Sequence, residues 1–269
     1  MEAMTTEAIV EKMADLGATV DEDQFRQMAQ PFHSSYLLSE EFWRDLISDE
    51  HEDADFPYLA ASVLWDRWLP DRVRLERIDD LISQGREALE SDLRGRAFRL
   101  WAEAWRGWRD WMEAQPERVL SELNDAVQEW VDERLESWVE EFDELLESGS
   151  LRNPRWAEYR LEMMQFLYGR SDDPHDFETI SYGLACADSL FALRRAVDGD
   201  AMYAALAERF AHDEMIYYSW ANQYSHDYTL HPENVDDERA RSLLRRGLEA
   251  CPDERDLFAG RLNALGGSS

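Results

Sequence analysis

The sequence predicts an all-α protein made of antiparallel helix pairs, and three observations support this. Apolar residues recur at spacings of three and four through almost every segment, which is the period of a helix with one buried face. No segment shows the sustained alternation of apolar and polar residues that indicates a half-buried strand. Glycine and proline are few, at 12 and 8, and most of them lie between the periodic segments, where they separate one helix from the next.

Capping residues and helix breakers define the first five predicted helices. Their limits are Thr5 or Thr6 to Gly17, Asp21 to Pro31, a start at Ser39, about Pro57 to Leu69, and a fifth helix after the Pro70-Asp71 turn. Serine, threonine and aspartate accept hydrogen bonds from the free amides at a helix start, and proline fits the first turn. The third helix is expected to bury Phe42, Trp43, Leu46 and Ile47. The next two are expected to bury Tyr58, Ala61, Leu64, Trp65 and Trp68, and then Leu75, Ile78, Leu81 and Ile82.

A row of tryptophans follows one face of the sixth predicted helix. The row consists of Phe98, Trp101, Trp105, Trp108 and Met112, with Trp111 at its edge. Such a row either fills the core between helix layers or forms a platform for sugars, organic cations or proline-rich peptides. No glycine-rich or polar loop accompanies it, so we interpret the row as core.

The segment 117–147 contains neither proline nor glycine. As one helix it would be about 45 Å long, and a break near Glu133–Ser137 is the alternative. Gly149-Ser150 ends this segment, Asn153-Pro154 begins the next, and a polar loop follows at 169–176. These loops are the best candidates for a domain boundary. We therefore expect a helical N-terminal region over 1–150, with long Trp-rich helices, and a second helical region over 151–269. The alternative is that the two regions pack together as one continuous domain.

The last third of the chain is predicted to form two helix pairs. The first pair covers 177–193 and 198–210, the second covers 214–225 and 236–250, and a closing helix covers 253–265. Small residues and a proline mark the end of the second pair, at Ala240, Gly247 and Pro252. Its first helix carries the aromatic–small–x–x–Tyr pattern of Trp220, Ala221 and Tyr224.

This pattern resembles the tetratricopeptide repeat over roughly the last 90 residues. The resemblance implies an α-solenoid whose concave face binds a protein or peptide, with small residues where helices pack closely. The sequence departs from the family in a longer loop, DYTLHPENVDD, between the two helices, and the preceding pair, with Gly183 and Ala207, matches only loosely. Since a helical glycine costs about 0.5–1 kcal/mol relative to alanine, we expect Gly247→Ala to be tolerated and Gly247→Leu to be disruptive.

Charge excludes several classes of partner. The chain has 59 acidic and 28 basic residues, a formal net charge of −31, and one lysine, Lys12. This excess of acid repels nucleic acids and anionic membranes, and it favours adaptation to a salt-rich cytoplasm, where screening reduces self-repulsion. Some relatives of the repeat clamp a carboxylate with lysines, but Lys12 lies outside the repeat region. Seven arginines there, Arg194, Arg195, Arg209, Arg239, Arg241, Arg245 and Arg246, are expected mostly to pair with neighbouring acids.

The sequence also predicts where the protein resides and how its cysteines are used. The N-terminus lacks the basic and apolar regions of a signal peptide, and no stretch approaches the about 18 apolar residues of a membrane span. We therefore expect a soluble, cytoplasmic protein. Cys186 and Cys251 lie within or at the end of apolar helical patterns, and we expect both to be inert core residues.

An enzymatic function is the alternative hypothesis. Three His-Asp dipeptides occur, at His175, His212 and His226, and an all-helical metal-dependent phosphohydrolase would use His175, His212, His226 and Asp227 to hold a metal that activates water. None of the six histidines has a glutamate three residues before it, so a di-iron carboxylate bundle is not predicted. We favour a non-catalytic interaction module with no catalytic residues, metal or cofactor.

Overall fold

The regular structure of this protein is helical throughout the part that the structure describes. The computed structural model describes residues 3–47, 51, 53–128, 131–171 and 177–266. These residues contain no strand, so the predicted all-α class is confirmed. Their fourteen α-helices are α1 Thr6–Asp15, α2 Glu22–Ala29, α3 Ser35–Trp43, α4 Phe56–Trp68, α5 Ile78–Glu90, α6 Arg94–Glu113, α7 Leu120–Val127, α8 Leu135–Ser150, α9 Pro154–Arg170, α10 Phe177–Ala192, α11 Ala196–Arg209, α12 Glu214–Asn222, α13 Asp237–Ala250 and α14 Arg255–Gly266.

The chain divides into two compact units. The N-terminal unit comprises Met1–Arg118 and Leu123–Trp138, and the C-terminal unit comprises Val119–Glu122 and Val139–Ser269. The last of the boundaries between these segments falls inside α8, between Trp138 and Val139. The predicted division after residue 150 coincides with the C-terminus of α8 instead.

Most of the predicted helix limits agree with the structure. Thr5 caps α1, and Gly17 follows it in the left-handed backbone region at φ +100°. Asp21 and Gln24 form a reciprocal capping box at α2. Such caps satisfy the amides that have no partner within the helix.

The predicted start of the third helix at Ser39 is wrong. The cap is Ser34, whose side chain accepts a hydrogen bond from the amide of Leu37 at 3.0 Å, and Ser39 lies inside α3. A distant carboxylate completes the cap, because Glu76 accepts a hydrogen bond from the amide of Tyr36 at 3.0 Å. Phe42 is also not buried as predicted, since it is 46% exposed, whereas Trp43 is 4% exposed.

The tryptophan row of α6 lies in the core, as predicted. Trp101 and Trp108 are fully buried and Trp105 is 3% exposed. The ring of Trp101 lies directly against Gly85 of α5, and its Nε1 donates to the carbonyl of Ile82 at 3.0 Å. The face that would have to receive a ligand is therefore occupied by protein.

The segment 117–147 is broken between α7 and α8, so the single long helix is excluded. The helix α7 ends at Val127 and α8 begins at Leu135, whereas the sequence predicted a break at 133–137. Two backbone amides just before α8 bind a carboxylate of α5. Asp79 accepts hydrogen bonds from the amide of Asp132 at 2.8 Å and from the amide of Glu133 at 3.1 Å. These bonds replace the intrahelical bonds that an uninterrupted helix would provide. Trp130, predicted for the buried face, lies outside the described residues.

Helices of the C-terminal unit pack antiparallel on their neighbours, as the predicted pairs require. In the pair α10 and α11, Phe191 lies against Gly199, and Gly183 lies against Leu206. In the pair α12 and α13, the amide of Asp236 donates to the carbonyl of Tyr224 at 2.8 Å. Among all described residues, no helix is both long enough and apolar enough to cross a membrane.

Candidate functional site

The residues predicted to pack the helical repeat lie in the core of the C-terminal unit, with one exception. Trp220, Ala221, Tyr224, Ala240 and Gly247 are buried, and Pro252 is exposed in the short 3-10 turn that follows α13. Trp220 stacks on Tyr203 of α11, with ring centroids 5.7 Å apart and planes 4° from parallel. The aromatic residues of the pattern therefore join α12 to the preceding helix.

Gly247 occupies a closer contact than the sequence predicts. A Cβ atom on Gly247 would lie 2.4 Å from Cε1 of Phe258 and 2.8 Å from Cβ of Tyr217. The prediction that position 247 is small because helices pass close is consistent with these distances. The expectation that alanine is tolerated there is not, because a methyl group already overlaps both neighbours.

Asp200 connects three helices of the C-terminal unit, and the sequence analysis missed it. Its carboxylate accepts hydrogen bonds from Trp220 Nε1, from the Tyr224 hydroxyl and from Arg239 Nη2, each at 2.7 Å. Burial and the neighbouring Asp200 carboxylate both raise the pKa of Tyr224. Trp220 belongs to α12, Tyr224 follows α12 and Arg239 belongs to α13, so this cluster stabilises the packing of α11, α12 and α13.

A cleft in the C-terminal unit is the candidate binding site. Its volume is about 490 Å³, which is within the usual range for small-ligand sites. It is lined by residues of α8, α9, α10 and α12, of the loop between α8 and α9, and of the loop after α12: Glu144, Glu147, Ser148, Ser150, Leu151, Arg160, Asp188, Ser189, Ala192, Ser219, Asn222, Gln223, Tyr228 and Leu230. We call this the α8–α10–α12 cleft.

An arginine of α9 at the cleft is held by carboxylates of α8. Arg160 is 5% exposed. Its Nε donates to Asp143 Oδ1 at 2.6 Å and its Nη2 to Asp143 Oδ2 at 2.7 Å, while Glu147 lies 3.7 Å away. Burial alone would lower the pKa of Arg160, but the hydrogen bonds and charge of Asp143 outweigh it and raise that pKa. The charge of Arg160 is therefore already balanced by the protein.

The carboxyl group of Asp188 faces this cleft from α10. Burial raises its pKa to about 6, although the nearby charge of Arg160 acts in the opposite direction. Asp188 Oδ1 accepts hydrogen bonds from the Tyr203 hydroxyl and from Gln223 Nε2, the latter at 2.7 Å. Both of these bonds fall on Oδ1.

The amide of Asn222 lines the same cleft without a protein partner for its oxygen. Asn222 Oδ1 is buried and accepts no hydrogen bond from the described residues. An unsatisfied buried acceptor costs about 1–3 kcal/mol. A ligand that donates a hydrogen bond to this oxygen, once the Asn222 side chain turns it into the cleft, would recover part of that energy.

The two cysteines are buried, as predicted for core residues. Burial raises the pKa of Cys186 to about 12 and that of Cys251 to about 11. A thiol with such a pKa is almost entirely protonated near neutral pH, so neither side chain is poised as a nucleophile.

Among the described residues of the hydrolase alternative, His212 lies apart from His226 and Asp227. His212 Nδ1 lies 2.9 Å from the carbonyl oxygen of Ala250, and His226 Nδ1 lies 3.1 Å from Asp237. These two partners are the last and first residues of α13, so the histidines are about 20 Å apart. His175 and Asp176 lie outside the described residues. Asp227 binds only one of the histidines, with its Oδ1 2.9 Å from His226 Nε2. Within the described part of the chain, no group of three or more His, Cys, Asp or Glu could hold a metal ion.

Several of the predicted surface arginines pair with acids. The ion pairs are Arg194 with Glu233, Arg195 with Asp198, Arg239 with Asp200, and Arg241 with Glu238. Arg209 and Arg246 instead lie over aromatic rings, those of Phe210 at 4.8 Å and Trp220 at 5.4 Å. In the N-terminal unit Lys12 pairs with Asp53 at 2.5 Å and lies 4.3 Å from the ring centroid of Phe56. The single lysine therefore has a structural partner.

Sequence analysis did not find the α8–α10–α12 cleft, although one signal was present. Arg160 and Asp188 are charged residues within otherwise apolar helix faces, a pattern that indicates a buried polar contact. Their partners come from other helices at no fixed spacing in the chain.

No protein-family model, curated protein or solved structure matches this chain.

Proposed function

We propose that this chain is a non-catalytic protein–protein interaction module, built from tetratricopeptide-like helical repeats and adapted to a salt-rich cytoplasm. The observation that supports it best is the origin of the α8–α10–α12 cleft. Most of its lining residues come from α8, α10 and α12, with Arg160 of α9 between them, and in helical-repeat proteins alternate helices line the concave face that binds a partner.

Contacts between alternate helices add to this support. Phe191 of α10 packs on Tyr224, just after α12, with ring centroids 5.7 Å apart. Arg261 of α14 donates to Ser225, after α12, at 2.7 Å. Stacking of each helix pair on the next is the arrangement that repeat proteins use to bury a continuous core. The acidic charge favours a protein or peptide partner over a nucleic acid or an anionic membrane.

The proposal is tested by blocking the cleft and comparing the proteins that bind. Immobilised wild type, Ser219→Trp and Glu208→Trp are exposed to extract of the native organism in molar KCl. Ser219 lines the cleft, whereas Glu208 is exposed on α11 and does not line it. We expect the wild type and Glu208→Trp to retain a partner that Ser219→Trp loses, with all three melting at similar temperatures. Equal retention by the three proteins, or retention of nothing, would contradict the proposal.

A further inference from the structure

We propose that the α8–α10–α12 cleft binds a guanidinium or primary ammonium group carried on an aliphatic chain. This inference goes beyond the proposed function, because a free organic amine would occupy the cleft without any protein partner. Three independent features of the cleft lead to it: its charge, its unused hydrogen-bond acceptors and its apolar rim.

The charge of the cleft favours a cation. Glu144, Glu147 and Asp188 are among its lining residues, and Arg160 is the one basic residue that lines it among those described. Asp143 binds that arginine through two hydrogen bonds, so its charge is not available to an anion. Acidic walls around a partly enclosed space concentrate cations there.

Two hydrogen-bonding groups that line the cleft are acceptors with unused capacity. Asp188 uses Oδ1 for both of its hydrogen bonds, and Asn222 Oδ1 has no partner among the described residues. Guanidinium and ammonium groups have donors and no acceptor, so they match both atoms. A metal ion is a poorer match, because the described residues contain no group of three or more metal-binding side chains.

Exposed apolar side chains surround this polar centre. Leu151 is 60% exposed, Leu230 is 48% exposed and Tyr228 is 53% exposed, and all three line the cleft. An aliphatic chain that ends in a cation covers such a rim while its charged head reaches the carboxylate. The cleft therefore fits an arginine or lysine side chain, or a free alkyl amine of similar length.

The test is calorimetric titration with charged probes and a neutral isostere. N-acetylarginine amide and N-acetylcitrulline amide have nearly the same shape, and only the first is charged. Agmatine and the tripeptide Gly-Arg-Gly represent the two sources of the group, a free amine and a protein side chain. We expect saturable binding of N-acetylarginine amide and no binding of N-acetylcitrulline amide. The tighter of agmatine and Gly-Arg-Gly then identifies the source, and either result supports the proposal.

Matched variants separate this site from non-specific attraction to an acidic protein. Asp188→Asn and Glu208→Gln each remove one negative charge, but Glu208 does not line the cleft. Asparagine keeps the acceptor that Tyr203 and Gln223 use, so Asp188→Asn is expected to fold. We expect it to weaken binding about tenfold or more, and Glu208→Gln to change binding little. Glu147→Gln provides a second cleft variant on an exposed side chain, with a smaller loss expected.

Three results would overturn the inference. The first is binding of the citrulline derivative as tightly as the arginine derivative. The second is an equal effect of Asp188→Asn and Glu208→Gln. The third is the absence of saturable binding of all four probes at millimolar concentration.

Discussion

Replacing Gly247 with alanine tests a close contact between helices in the C-terminal unit. The new Cβ would lie 2.4 Å from Cε1 of Phe258, 2.6 Å from its Cζ, and 2.8 Å from Cβ of Tyr217. Phe258 is fully buried and Tyr217 is 5% exposed, so neither neighbour can turn into solvent. The tyrosine Cβ is also fixed to the backbone of α12, and relief of the overlap requires α12 and α13 to separate.

The expected magnitude follows from two opposing effects. Overpacking of a close contact costs about 1–3 kcal/mol, while removal of a glycine from a helix interior returns about 0.5–1 kcal/mol. We therefore expect Gly247→Ala to destabilise the C-terminal unit by about 1–2 kcal/mol. That loss corresponds to a decrease of roughly 3–6 °C in melting temperature. Gly247→Leu should be worse than Gly247→Ala.

Gly260 provides the matched control. It is exposed within α14, and a Cβ there would meet no atom within 4 Å. Gly260→Ala should stabilise the protein by about 0.5–1 kcal/mol. Differential scanning calorimetry is the suitable assay, because two compact units can unfold in separate transitions.

A double mutant identifies the contact that is responsible. Phe258→Leu shortens the ring that meets position 247, so Gly247→Ala should cost less in the Phe258→Leu background than in the wild type. A coupling of about 0.5 kcal/mol or more is expected for residues in direct contact. If Gly247→Ala raises the melting temperature as Gly260→Ala does, the close approach of α12, α13 and α14 is wrong. The resemblance to the tetratricopeptide repeat would then lose its strongest packing feature.

Three further predictions concern the core, the charge and one carboxyl group. Trp105→Ala should lower the free energy of unfolding by about 3–5 kcal/mol, because removal of a large buried side chain leaves a cavity. The tryptophan emission of the wild type should be blue-shifted. Red-shifted, easily quenched emission together with a tolerated alanine would contradict a core role. The melting temperature of the wild type should rise from low to molar KCl, since salt screens the repulsion within a net charge of −31; a flat or falling profile would contradict salt adaptation. The pKa of Asp188 is raised to about 6 in the folded state from 3.8, so its ionised form destabilises the fold above pH 6 and this penalty disappears as the pH falls towards 4. Asp188→Asn should therefore stabilise the protein by at most about 3 kcal/mol at pH 7.5, and by only about 1 kcal/mol near pH 4.5; equal shifts in melting temperature at both pH values would contradict a raised pKa.

The sequence by itself determined the helical class and most of the helix limits. Periodic apolar residues and local caps such as Asp21 with Gln24 act within a few positions of the chain, so they can be read without a fold. The same holds for the burial of the tryptophan row. Apolar side chains on one helix face must be covered by something, whatever the partner is.

Local rules misplaced helix ends where a distant side chain takes part. The cap at Ser34 is completed by Glu76, and the break before α8 is held by Asp79. Each carboxylate is about 40 to 50 residues away in the chain, which is beyond the range of any local pattern. Serine at position 39 has the right chemistry for a cap, but its neighbours already form a helical turn.

Only the tertiary structure revealed the α8–α10–α12 cleft and the state of its charges. Arg160 and Asp188 each interrupt an apolar helix face, and this much is visible in the sequence. Whether such a charge is balanced depends on which groups surround it, because burial penalises an ion and a nearby opposite charge compensates. Asp143 balances Arg160, whereas both hydrogen bonds to Asp188 fall on Oδ1, and Asn222 Oδ1 in the same cleft has no partner among the described residues. The residues concerned lie on four helices, and the distances between these helices are set by the packing of the whole fold rather than by any one segment.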